Sequence, residues 1–194
     1  MPMRTSFNRR FALPARALVP ALFGLLGLSA CAGSGPYNFA REYTPLKAER
    51  DHVEATAQQV AYEDVQRDPN GFTKTQVGWF GIVTAYADLS DGRQRLTLSL
   101  RAHQPRHLCG TEREASCRVT VSDKSMGSFV FDVKLTDEQK LGRDRIWLGS
   151  LLKVYGTPTG DYDDDGSPVL NVSYYRHFPR NTYVTTAQRA GMRR

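Results

Sequence analysis

The chain has 194 residues, enough for one domain with a real hydrophobic core plus short appendages, and carries 26 basic against 20 acidic side chains for a formal charge of +6. Four of those basic residues, Arg4, Arg9, Arg10 and Arg16, lie in the first thirty, so the remainder is close to neutral. That near balance argues against a nucleic-acid partner, which calls for a strong basic surplus on the folded domain.

The opening residues have the order of an export signal. A basic start without acidic residues precedes the apolar run Leu18 to Leu28, then the small residues Ser29-Ala30 and Cys31. The run is too short to span a bilayer, which takes about twenty apolar residues, and it contains Pro20. Leu28-Ser29-Ala30-Cys31 reads as a lipoprotein signal cut before Cys31, whose thiol then carries a palmitate-type lipid anchor. Arg9-Arg10 admits a twin-arginine signal, although Asn8 and Ala12 suit that pattern poorly. Ala32 stands where lipoproteins retained at the inner membrane carry aspartate, so the expected destination is the outer membrane, facing the periplasm.

Residues 31–43, with Ala32-Gly33-Ser34-Gly35-Pro36, suit a flexible tether. A domain over 44–178 then opens on a helix, with Thr44 as N-cap, Pro45 in the first turn, and Leu46, Val53, Ala57, Val60 and Ala61 near one face until Asp68-Pro69 ends it. From Val77 the period changes to two. Leu96, Leu98 and Leu100 alternate with polar residues, as do Cys117, Val119 and Val121, and then Phe129, Phe131, Val133 and Leu135 after a turn expected at Asp123 to Ser128. Thr136-Asp137-Glu138-Gln139 is a capping box for a short helix closed by Gly142. Strands follow at Ile146 to Thr157 and Pro168 to Phe178. Residues 179–194 read as a basic tail, part of a late gathering of Arg176, Arg180, Arg189, Arg193 and Arg194. The order predicts a mainly β fold: a small Greek-key barrel of the oligonucleotide/oligosaccharide-binding (OB) type, with an N-terminal helix and a short helix between the third and fourth main strands. Gly78 and Gly81 would let the first strand bend between the two halves of the barrel, although a β-sandwich gives similar alternation.

Val65, Pro69, Phe72, Val77, Trp79, Gly81, Ile82 and Val83 stand at spacings that resemble the opening of the Slp-type outer-membrane lipoproteins, with Lys74 and Phe80 where that family commonly has glycine. The resemblance implies an envelope lipoprotein without an established catalytic role, and it supplies no active-site residues.

Three clusters are candidate sites. With Cys31 lipidated, Cys109 and Cys117 are an even pair in an oxidising compartment and are expected to form a disulfide; with His103 and His107 they could instead hold zinc. Asp161, Asp163 and Asp165, followed by Gly166, have the start of a calcium loop, but Val172 replaces the bidentate glutamate, so weak calcium binding competes with a plain acidic turn. Trp79, Phe80, Tyr155, Tyr174 and Tyr175 could stack on a sugar or peptide, or fill the core. His52, His103, His107 and His177 adjoin no nucleophile motif, and no other cofactor is implied. The expectation is therefore a non-enzymatic binding or scaffolding module, with an envelope protein or a glycan such as peptidoglycan as partner, and a hydrolase with an unseen site as the alternative.

Overall fold

The computed structural model describes residues 43, 45–56, 60–104, 118–179 and 181–191, all within a unit running from Pro36 to Arg194. Five long strands form the domain: β1 (Val77–Asp88), β2 (Gln94–His103), β3 (Val119–Val133), β4 (Leu151–Tyr162) and β5 (Pro168–Phe178). β1 pairs antiparallel with both β2 and β4, β4 with β5, and β2 with β3, while β5 closes the circuit through a parallel contact, Val130 opposite Val169 and Phe131 opposite Leu170. The result is a closed five-stranded barrel of OB-like order, which disposes of sheet edges by closure. Among the described residues no helix is long and apolar enough to cross a membrane.

β1 is the shared strand, pairing with β4 through Val77–Ile82 and with β2 through Phe80–Asp88. Its Gly81 serves close packing: a Cβ there would stand 2.7 Å from the Leu98 Cβ and 2.9 Å from the Phe129 ring. The irregularity in β1 sits instead at Thr84, where the register slips against β2. Trp79, Val83, Leu96, Leu98, Phe129, Phe131, Leu152, Val154 and Leu170 fill the interior. Leu135 and Ile146 join that cluster from the two sides of α3 (Asp137–Leu141), whose capping box forms as expected: Gln139 N–H donates to Thr136 Oγ1 and Thr136 N–H to Gln139 Oε1.

Several boundaries differ from the sequence expectation. The N-terminal helix is broken into a 3-10 turn (Lys47–Glu49), α1 (Arg50–Ala55) and α2 (Tyr62–Arg67), followed by a second 3-10 turn at Pro69–Phe72; Thr44 and Ala57 lie outside the described residues. The turn expected at Asp123 to Ser128 is the bulged middle of one strand, in which the register against β2 slips twice and Ser122 and Ser125 hydroxyls satisfy the local backbone. Residues Ile146 to Ser150 form a turn ahead of β4. The end of the chain is more than a tail: β6 (Tyr183–Thr185) pairs in parallel with Val119–Val121, burying Val184, and α4 (Thr186–Gly191) follows.

α2 is pinned to the barrel by Tyr62, whose hydroxyl donates to Ser128 O (2.8 Å) and accepts from Ser128 N–H (3.2 Å). Gly127 makes this possible, with φ +135° and a position at which a Cβ would lie 2.3 Å from the Tyr62 ring. Gly127→Ala is expected to lower stability by about 1–3 kcal/mol from backbone strain alone, with displacement of Tyr62 adding to it. A urea-unfolding midpoint equal to that of the unsubstituted protein would contradict this account.

Candidate binding surfaces

A one-residue slip in β5 sets up the outer face of the barrel. Tyr155 pairs with Tyr174 but Gly156 pairs with Val172, so Ser173 is extra. Because side chains alternate with a period of two, the slip moves every following residue to the other face. Leu170 and Val172 therefore face the interior, whereas Tyr174, Arg176 and Phe178 face outward beside Phe80, Lys153 and Tyr155.

That outer patch is covered by the chain from Tyr43 to Ala55. Glu49 is fully buried and gathers a polar cluster around its carboxylate. Tyr155 Oη donates to Oε1 at 2.7 Å and Tyr43 Oη at 2.5 Å, Leu46 N–H donates to Oε2 at 3.1 Å, and Arg176 Nη1 stands 3.3 Å from Oε2. Lys153 Nζ lies 3.8 Å from Oε1 and 4.1 Å from the centroid of the Tyr43 ring. Burial, with further raising by Glu49 against an opposing pull from Arg176, pushes the Tyr43 hydroxyl far above its ordinary range; burial and the bond to Glu49 do the same to Tyr155. Both phenols thus remain donors to Glu49. Next to this cluster His52 stacks on Tyr174 with centroids 5.0 Å apart, and His103 stacks on Phe80 at 4.7 Å.

Beside the cluster a groove of about 590 Å³ opens between α1, α2 and the outer strand surface. Val53, Val60, Phe80 and Met126 give it apolar walls, and Arg101 and Lys153 bring positive charge. Arg101 donates from Nη1 to Asp123 O, while its buried Nε has no hydrogen-bond partner among the described residues. A buried donor of that kind is costly to leave unsatisfied, and a ligand acceptor is one way to satisfy it.

The sites expected from sequence are only partly visible. Cys31, His107, Cys109 and Cys117 lie outside the described residues. His103 is in β2, packed on Phe80 and Tyr43. Asp161, Asp163 and Asp165 are not brought together as metal ligands: among the described residues no three His, Cys, Asp or Glu side chains form a metal-holding group. Asp163 Oδ1 instead accepts from the N–H groups of Asp165 (3.1 Å) and Ser167 (2.6 Å), as in a tight acidic turn. Trp79, Phe80 and Tyr155 are buried, Tyr175 packs against Phe131, and Tyr174 lies under His52, so the strand aromatics do not make an open stacking platform. Arg176, expected in a late basic gathering, is part-buried against Glu49.

One pair was hidden from sequence reasoning. His177 Nε2 is 3.1 Å from Ser150 Oγ, with Asp144 near the imidazole. Ser150 has no exposed surface and its Oγ accepts the Trp147 N–H, so this hydroxyl secures the turn before β4 and is closed to a substrate. Compared with known proteins, the chain matches no family model, and no curated protein is significantly similar to it.

Two measurements test this geometry. Removing Glu49 takes its carboxylate away from the part-buried Arg176 and Lys153, so Glu49→Ala is expected to cost about 3–5 kcal/mol. Tyr155→Phe, which removes one hydrogen bond to a charged group, should cost about 1.5–3 kcal/mol. Urea unfolding of both variants checks the order, and a Glu49→Ala loss no larger than that of Tyr155→Phe would contradict it. Burial lowers the His177 pKa from its usual 6.5, against a smaller raising influence of Asp144. The unfolded chain therefore binds a proton that the folded one refuses, and stability falls as pH drops below about 6.5 toward the folded-state value. Thermal unfolding between neutral pH and pH 5 should show this slope in the unsubstituted protein and a flatter one in His177→Gln.

Proposed function

We propose that this chain is a lipid-anchored cell-envelope lipoprotein of the Slp type, held at the periplasmic face of the outer membrane through Cys31, whose barrel acts as a non-catalytic binding or scaffolding module. The observation that carries the binding role is the groove beside the Glu49 cluster, apolar in its walls and supplied with an unsatisfied donor on Arg101. The leader ending in Leu28-Ser29-Ala30-Cys31 supports the anchor. In that compartment Cys109 and Cys117 would be joined as a disulfide. A protein segment with an acidic or carbonyl group set among apolar side chains fits the groove better than a glycan, because the aromatic residues lining the groove, Tyr62, Trp79 and Phe80, are buried. The hydrolase reading finds its best geometric candidate in Ser150 and His177, and that serine is inaccessible.

The test is made on protein isolated from cell membranes. Its mass should correspond to a chain starting at an acylated Cys31, rising by two hydrogens on reduction, and Cys31→Ser should remove both the acyl mass and the outer-membrane fractionation. A photo-crosslinker at the exposed Met126 should capture an envelope partner that Arg101→Glu loses. Recovery of the unmodified full-length chain from cytosol would overturn the anchoring, and capture unaffected by Arg101→Glu would overturn the groove as the binding site.

A further inference from the structure

The turn between α3 and β4 carries a surface that neither the barrel core nor the groove uses. Leu141 is 84% exposed, Leu148 53% and Trp147 38%, three large apolar side chains within eight residues. Soluble surfaces normally scatter such residues singly. Arg143, Arg145 and Trp147 line one concavity together with Pro179 and Asn181. Arg145 also lines a neighbouring one with Tyr86, Lys140 and Leu141, and Tyr86 is itself 48% exposed. The two hollows share Arg145 and so adjoin, a band that holds Tyr86, Leu141 and Trp147 together with Lys140, Arg143 and Arg145.

The acidic residues of the segment are turned to other tasks. Glu138 Oε1 accepts the Arg143 N–H at 2.8 Å, and Asp144 lies by His177. Asp137 stands in the first turn of α3, beside its free N–H groups. Among the described residues none of these three acids lines the concavity of Arg143, Arg145 and Trp147, whereas Asp88 does line the neighbouring one.

The position of the band within the domain identifies what it would meet. Gly149, two residues beyond Trp147, accepts the Tyr183 hydroxyl, and Tyr183 packs in one apolar cluster with Leu151, Phe178 and Tyr43. Tyr43, the first described residue, is thus linked through that cluster to the turn that carries Trp147. We propose that this band is a membrane-docking surface for a phospholipid bilayer, with Leu141, Trp147 and Leu148 entering the interface and Arg143 and Arg145 holding anionic headgroup phosphates. Trp and Tyr favour the headgroup level, and cations beside them add attraction to anionic lipid. The role presupposes the lipid-anchored reading, since the tether is what brings the domain within reach of the membrane.

The chain contains two tryptophans, and Trp79 is buried in the barrel, so Trp147 is a built-in probe. The mature protein, reconstituted in phosphatidylethanolamine/phosphatidylglycerol vesicles with brominated acyl chains, should lose about twofold in Trp147 emission, as expected of an interfacial indole. The loss should vanish in Trp147→Phe, where Trp79 still reports the fold, and shrink in Arg143→Glu/Arg145→Glu. Phosphatidylcholine vesicles should give weaker quenching, and free inorganic phosphate should not compete at millimolar concentration, which separates a bilayer from an isolated phosphate as the ligand. Flotation with an acylated Cys31 but no quenching of Trp147 would overturn the docking surface and leave the anchor standing. Quenching with an unmodified Cys31 would keep the docking surface and refute the anchor. Absence of both would overturn the docking surface as well.

Discussion

The Glu49 carboxylate is the point on which the outer half of the structure turns. It sits without solvent contact, between the chain segment that carries Tyr43 and Leu46 and a barrel face made by β4 and β5. A carboxylate so placed is tolerable only when nearly every lone pair has a donor and its charge has counterparts. Two phenols, one backbone N–H, Arg176 and Lys153 supply them, and they come from three separate stretches of chain. Such a cluster gives direction more than net stabilisation: an apolar patch would let the segment slide, whereas this carboxylate is satisfied in one position. The position of α1, and with it one wall of the groove, follows.

This arrangement in turn depends on the slip at Ser173. Had β5 kept its alternation from Leu170 and Val172, Tyr174, Arg176 and Phe178 would all face the barrel interior, where a guanidinium has no partner. One extra residue lets a single strand serve the apolar interior in its first half and the polar outer cluster in its second. The middle of β3 does the same for its two ends, sending Phe129 and Phe131 inward and Val119 and Val121 to the second apolar cluster with Phe80 and Phe178.

These slips also mark the limit of what alternation reveals. The mainly β class, the strand order around the short helix and the capping box at Thr136 were legible because each is written in consecutive residues. Leu96, Leu98 and Leu100 announce a buried face, and Thr136 with Gln139 announces a helix start. Ser122 to Gly127 carries the composition of a turn, and only the pairing with β2 makes it a bulged strand, so a turn there was the natural expectation. Glu49 fell within the expected N-terminal helix and Arg176 in a late gathering of basic residues, and nothing local distinguishes a solvated charge from one whose partner lies 127 residues away. His177 and Ser150 meet for the same long-range reason.

Closure of the barrel also narrows what kind of recognition the domain can perform. Its interior is filled by side chains, so any ligand has to be met from outside. OB barrels commonly bind nucleic acid or sugar across strands β2 and β3 and the loops joining β1 to β2 and β4 to β5. Here the first of those loops is a short turn in which Asp91 and Arg93 satisfy each other, and the second carries Asp163, Asp164 and Asp165. Between the strands themselves, Arg95 is held in a two-point contact by Asp132 at 2.7 and 3.0 Å. A phosphodiester approaching Arg93, Arg95 and the acidic loop would meet acids and cations already paired. The proposed recognition therefore rests on the groove along Arg101 and on the band around Trp147, where apolar side chains stand beside cations.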